Sequence, residues 1–258
     1  MLLTLDIGNS NIHIGLFDKK KLLGKKNTPS KSAHPIEEFI TTLDLLLTEL
    51  KTERSALRGC GISSVVPDLS SHIAKWLTGE LNISPLVISG TLPLAVKIQY
   101  DDPLSLGADR ICSAVAAYSK YGGPIIVIDF GTATTYNIIS EFGEFMGGVI
   151  APGIKTAGEA LYKATAQLPQ VTLEIPSQVI GTNTIASIQS GILYAGVDAA
   201  EGMIHRLKKL TGQKTIVIAT GGFSDLIKSK TTLINHIEKD LVLEGVYLIF
   251  EKCAGKLR

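Results

Sequence analysis

At 258 residues, 45% hydrophobic and 19% charged, the chain can form one large domain or two ordinary ones around a sizeable core, which excludes a disordered polymer. A formal net charge of +1 without a Lys/Arg stripe argues against nucleic acid as the main partner. No apolar run approaches the roughly 20 residues of a membrane span, no basic segment opens the chain as a signal peptide would, and three scattered cysteines (Cys60, Cys112, Cys253) without C-x-x-C spacing predict reduced thiols in a cytoplasmic protein.

Strands are predicted near residues 2–7, 11–18 and 21–27. The first ends in Asp6-Ile7-Gly8-Asn9-Ser10 before a second apolar run from Ile12 to Phe17. Lys19-Lys20-Lys21 reads as a solvated hairpin tip. A helix follows from Pro35, with Phe39, Leu43, Leu46, Leu47 and Leu50 on one face; proline suits its first turn. Gly59 to Val66 is a buried strand, Pro67-Asp68 opens a helix near 68–79, and Leu86 to Ser89 is a short strand. Tyr100 to Leu106 leads to Gly107-Ala108-Asp109-Arg110 at the start of a helix bearing Ile111, Ala114, Val115 and Tyr118, which stops at Gly122-Gly123. There Asp109 gains from the helix dipole, as a simple cap or as a catalytic carboxylate.

The second half repeats the order of the first. Strands lie near 125–130, 134–141 and 144–150, and the first of them ends in Asp129-Phe130-Gly131-Thr132-Ala133-Thr134-Thr135. Gly147 to Gly153 is either a plain loop or a place where backbone approaches a ligand or another subunit. A long helix spans about Gly191 to Leu210, Thr215 to Ala219 is a strand, Gly221-Gly222 precedes a helix from Ser224, and a last helix lies near 241–252. Hairpins followed by βα units predict mixed sheets flanked by helices.

Each Asp-x-Gly turn joins an apolar strand to a second strand. Glycine lets backbone N–H groups approach phosphate oxygens, Asn9, Ser10, Thr132, Thr134 and Thr135 add short side-chain donors, and a strand-end aspartate can hold a cation or its water shell. One such turn is an ordinary hairpin. Two copies point to a duplicated half-domain that clamps a nucleotide. The histidines, with no H-x-x-x-H pair, offer no zinc site.

With these segments in order, the chain resembles the type III pantothenate kinases of the acetate and sugar kinase/Hsp70/actin superfamily over nearly its whole length. The resemblance rests on Asp6-x-Gly8-Asn9-Ser10, Asp129-x-Gly131-Thr132-Ala133-x-Thr135, Gly107-Ala108-Asp109-Arg110, Gly147-Gly148-x-Ile150-x-Pro152-Gly153 and Gly221-Gly222. It implies an α/β fold of two duplicated ribonuclease-H-like (actin-like) domains, residues 1–115 and 116–258, each a mixed five-stranded sheet flanked by helices. It implies ATP along Asp6, Ile7, Gly8, Asn9, Ser10, Asn11, Ile12, His13 and Thr132, with Mg²⁺ near Asp6. Asp109 would be the general base, and Asp129 would hold a monovalent cation, K⁺ or NH₄⁺. Tyr100, Gly107, Ala108, Asp109, Arg110 and Thr184 would contact pantothenate in a homodimer. The implied reaction is ATP-dependent phosphorylation of pantothenate, the first step of coenzyme A biosynthesis. The family often has threonine at the position of Ser10 and asparagine at that of Asp102. Arg110 could pair with a substrate carboxylate, steady a phosphate or form a structural ion pair.

Other classes fit less well. The chain lacks the G-x-x-x-x-G-K-[ST] of a P-loop kinase and the G-x-G-x-x-G of a nicotinamide dehydrogenase. A kinase for another small alcohol stays open within the same fold, with Gly107-Ala108-Asp109-Arg110 favouring pantothenate over a sugar, and a nucleotide-binding regulator without catalysis would have no need of Asp109.

Overall fold

The computed structural model describes residues 1–256. In chain order its elements are β1 (Leu2–Ile7), β2 (Asn11–Asp18), β3 (Lys21–Pro29), α1 (Pro35–Glu49), β4 (Gly59–Ser64), α2 (Pro67–Leu81), β5 (Leu86–Val87), β6 (Lys97–Ile98), α3 (Ala108–Tyr121), β7 (Ile125–Phe130), β8 (Ala133–Ile139), β9 (Glu144–Pro152), α4 (Ile154–Ala164), α5 (Thr184–Thr211), β10 (Ile216–Thr220), α6 (Ser224–Lys228), β11 (His236–Ile237) and α7 (Leu241–Lys256). They form two compact units. Unit 1 comprises residues 1–120 and those from Asp240 onward, and unit 2 runs from Tyr121 to Lys239.

The sheet of unit 1 has the order β3-β2-β1-β4-β5, with β1 antiparallel to β2 and parallel to β4. Alternation along β1 sends Leu3, Leu5 and Ile7 to one face, where they pack with Phe39, Leu43, Ile73 and Leu77 of α1 and α2. Leu2 points to the other face and meets Leu243 and Tyr247 of α7. The Phe17 and Tyr247 rings stack there at 4.8 Å. In β4, Cys60 and Ile62 join the α1/α2 core, while Gly61 lies under Val246 and Gly59 under Phe250. The β2–β3 tip turns through Lys19 and Lys20 at φ 45° and 72°, and the Tyr247 hydroxyl accepts from the Lys20 N–H at 3.0 Å.

In unit 2, β7 runs antiparallel to β8 and parallel to β10, β8 pairs with β9, and β10 with β11. Ile126, Ile128 and Phe130 of β7 pack against Leu193, Val197, Ala200 and Ile204 of α5.

Two expectations shift. The boundary expected at 115/116 falls inside α3, a continuous helix. Helix α7, expected in the C-terminal domain, belongs to unit 1 because its apolar side covers the Leu2 face of that sheet. Helix α5 starts at Thr184 rather than Gly191, with Asn183 as its cap: the Asn183 Oδ1 accepts from the Ala186 N–H at 2.9 Å. Helix α4 was not foreseen.

Candidate functional site

The two Asp-x-Gly turns close matching strands. Strand β1 (LLTLDI) and strand β7 (IIVIDF) share one burial pattern, with only the aspartate, Asp6 or Asp129, partly open. Apolar residues fix each strand in its core and so deliver the carboxylate to the strand end. The turns themselves differ. Ile7 pairs with Ile12, whereas Phe130 pairs with Thr134, so the second turn is one residue shorter.

In unit 1 the Gly8 N–H donates to the Asn11 carbonyl at 2.9 Å, and Ser30 ties the turn from outside through its N–H to the Ser10 carbonyl (3.0 Å) and its Oγ to the Gly8 carbonyl (2.6 Å). Asn9, Ser10 and Asn11 are exposed. His13 lies directly across from Asp6 on β2. Ile7 and Ile12 are wholly buried in the core, so only their backbone atoms can face a ligand. Asp6 accepts a hydrogen bond at 2.9 Å from Ser63 on β4.

Asp109 sits in the first turn of α3, whose first helical bond runs from the Ile111 N–H to the Gly107 carbonyl. Its Oδ1 accepts from the Arg110 N–H at 2.8 Å. Burial pushes the Asp109 carboxyl above the ordinary aspartate value, and the Arg110 N–H bond and guanidinium charge offset this only in part. A Cβ at position 107 would stand 2.5 Å from Asp109 Oδ1, so glycine there leaves the space the carboxylate occupies. Arg110 is buried, with its guanidinium 5.9 Å from the centre of the Tyr100 ring. Asp102 is exposed, and its Oδ1 accepts from the Leu104 N–H at 3.0 Å, which makes its carboxylate part of a turn.

In unit 2, Asp129 lies beside Thr220 in the parallel β7–β10 register. Gly221, at φ 86°, follows directly, and a Cβ on it would stand 2.4 Å from Asp129 Oδ1 and 2.6 Å from the Phe130 backbone. Gly221 thereby walls the Asp129 carboxylate. The Thr132 carbonyl accepts from the Gly153 N–H at 3.1 Å and from Thr156 Oγ1 at 2.6 Å. The Gly147–Gly153 stretch therefore ends as a brace for the second turn. Thr184 lines an apolar cavity of about 980 Å³ in unit 2, with Tyr136, Ile154, Leu161, Ile188 and Ala195 among its walls.

Unit 1 thus gathers Asp6, Tyr100, Asp109 and Arg110, and unit 2 holds Asp129, Thr132 and Thr184. Sequence reading missed Ser30, Ser63 and Thr156. Each is a lone hydroxyl whose partner is set by strand register or by a distant loop. Only Ser63, near the end of a predicted buried strand, left a usable signal. The cysteines are all buried and free, and no helix among the described residues is long and apolar enough to cross a membrane.

Solved structures share this architecture. Component A of (R)-2-hydroxyglutaryl-CoA dehydratase from Acidaminococcus fermentans matches at a TM-score of 0.58 and 12% identity, over 98% of each chain. The ethanolamine utilization protein EutJ from Carboxydothermus hydrogenoformans matches at 0.54 and 13% identity, over 96% of this chain and 89% of the other. The fold is accordingly of the actin-like α/β type. A type III pantothenate kinase from Moorella thermoacetica is 40% identical over 252 residues, covering 98% of this chain and 99% of its own. Another from Roseiflexus sp. (strain RS-1) is 39% identical over 251 residues, covering 97% and 98%. With the type III pantothenate kinase family model matching residues 2–206 as well, the chain belongs to that family.

Proposed function

We propose that the protein transfers the γ-phosphoryl group of ATP to the primary hydroxyl of pantothenate, the first step of coenzyme A biosynthesis, with Asp109 as general base. Family membership supports the kinase activity and the acceptor. The observation that carries the mechanism is Asp109 itself: a half-buried carboxylate, raised in proton affinity, beside Arg110 and in the same unit as the Asp6 turn. Phosphoryl transfer asks a protein mainly for alignment and charge neutralisation. Asp109 accepts the hydroxyl proton as attack proceeds. Arg110 and Tyr100 orient the acceptor, and the turns at Gly8 and Gly131 present N–H groups and small polar side chains to phosphate oxygens.

Mg²⁺ near Asp6 fits the donor set. The ion favours one or two carboxylates plus phosphate oxygens over an all-protein cage, and the described residues form no three-ligand cluster of their own. The Asp129 carboxylate, walled by Gly221, is a hard oxygen donor suited to K⁺ or NH₄⁺. Both ions, when bound, supply positive charge against the phosphates. A homodimer through unit 2 is supported by the exposed apolar side chains of Met146, Ile150, Tyr162, Ile180 and Ile185, and a monomeric sedimentation coefficient would refute it.

The test is phosphate transfer from ATP to pantothenate with Mg²⁺, with and without K⁺. Product should form, K⁺ should raise the rate, and Asp109→Asn should lower kcat about 10²–10⁴-fold while ATP binding persists. An Asp109→Asn enzyme with full turnover removes Asp109 from the mechanism. ATP binding without transfer turns the assignment towards a regulator or another small alcohol.

A further inference from the structure

We propose that Ser63 is the positioning residue for the Asp6 carboxylate, and that through Asp6 it sets how strongly the first turn holds a metal-bound nucleotide. The inference rests on the proposed role of Asp6 near Mg²⁺·ATP. Ser63 stands beside Asp6 in the parallel β1–β4 register, with no solvent-exposed surface. Its Oγ donates to Asp6 Oδ1 at 2.9 Å. Buried serines more often turn their hydroxyl to the nearest backbone carbonyl; here it is aimed at a carboxylate, and a bond to an ionised acceptor is about twice as strong as a neutral one.

The neighbours of Ser63 reinforce this placement. Gly59, Gly61 and Ser63 share the face of β4 away from the α1/α2 core. Cys112 of α3 lies against Ser63, close to the charges of both Asp6 and Asp109. One hydroxyl therefore stands where the strand of the first turn meets the helix that carries the base.

Unit 2 keeps a hydroxyl residue at the same place. Thr220 occupies the same register position beside Asp129 on the parallel neighbour strand, and it too is buried. Other positions of the paired strands differ freely between the units: β4 reads Gly-Cys-Gly-Ile-Ser-Ser and β10 reads Ile-Val-Ile-Ala-Thr. A hydroxyl beside each aspartate is what the two copies keep. An aspartate at a strand end has two free side-chain torsions, and a fixed donor on one oxygen selects one carboxylate orientation before the ligand arrives.

Three proteins decide the matter: wild type, Ser63→Ala and Ser63→Thr. Binding of the non-hydrolysable ATP analogue adenylyl imidodiphosphate is measured by calorimetry with and without Mg²⁺, alongside unliganded melting curves and pantothenate KM. Ser63→Ala should weaken Mg²⁺-dependent binding about tenfold or more. Metal-free binding and pantothenate KM should stay unchanged, and Ser63→Thr should restore the loss. If threonine does not fit and that variant fails to fold, the ratio of binding with and without Mg²⁺ in Ser63→Ala alone gives the answer. Unchanged binding in Ser63→Ala overturns the proposal. So does an equal loss with and without Mg²⁺ that tracks a lower melting temperature, which is what packing alone predicts. A wild type that binds the analogue with Mg²⁺ but transfers nothing to pantothenate defeats the proposed reaction and leaves the Ser63 comparison intact.

Discussion

Asp109 is a half-buried carboxylate, and the cost of ionising it there governs how it can be used. Its proton affinity is raised by burial above the ordinary aspartate value of 3.8. The proposed role as base requires the ionised form, so kcat/KM should rise with pH through an acid limb lying above 3.8, and Asp109→Asn should abolish that limb. The sign for stability is opposite. A carboxyl with a raised folded-state pKa favours the folded protein most below its unfolded pKa, and that contribution is lost as pH rises through the folded value. At neutral pH the Asp109→Asn protein should therefore melt higher than wild type, and the gap should close on acidification; a lower melting temperature at neutral pH would show that the Arg110 interactions outweigh burial. Gly107 gives a companion test. The atom that a Cβ at 107 would meet is the end of the Asp109 side chain, not backbone. Gly107→Ala should fold with a melting temperature within a few degrees of wild type, because the carboxylate can swing aside, yet lose about tenfold or more in kcat, consistent with what misplacing a catalytic group can cost. Equal kcat would mean the carboxylate position seen here is not the working one. The place of Asp109 in the first turn of a helix was legible in the sequence, from the apolar helical face that follows Gly107-Ala108-Asp109-Arg110. Its burial was not, since that depends on which elements fold over the helix start.

Among the elements, α7 shows most clearly what pattern reading can and cannot reach. Its existence follows from an apolar run near 241–252, but its destination does not. Both units expose an apolar sheet face in sequence terms, and only the packing of Leu243, Tyr247 and Phe250 against Leu2, Phe17 and Leu22 shows which one it covers. Gly245 marks how tightly it docks: a Cβ there would stand 2.0 Å from the Cys112 carbonyl oxygen of α3. Helix propensity favours alanine over glycine by about 1 kcal/mol. The clash is with backbone, however, and cannot be relieved by a side-chain turn. Gly245→Ala should lower the melting temperature by several degrees, and a rise would show that α3 and α7 are farther apart than described. Helix α5 illustrates the opposite miss. Its core spacing was readable from Ile192 onward, while Asn183 as the cap was hidden by Gly191, which looks like a start and is an exposed mid-helix residue.

For the whole molecule, the duplication was legible because each copy carries a strand, an Asp-x-Gly turn and a returning strand. The unit boundary was not, because sequence order suggests two halves, whereas unit 2 is a contiguous stretch set into a discontinuous unit 1. The fragment 121–239 should consequently unfold cooperatively by itself, and residues 1–120 alone should lack a melting transition; the reverse result would mean α7 is dispensable to its sheet. Seen in time, that arrangement makes the order of synthesis matter. A ribosome delivers the first sheet, then all of unit 2, and only afterwards the helix that closes the Leu2 face. Until Asp240 and the residues beyond it emerge, the Leu2 end of the strand bearing Asp6 lacks the cover of α7. A ligand that needs the finished sheet of unit 1 would then bind only after α7 has docked.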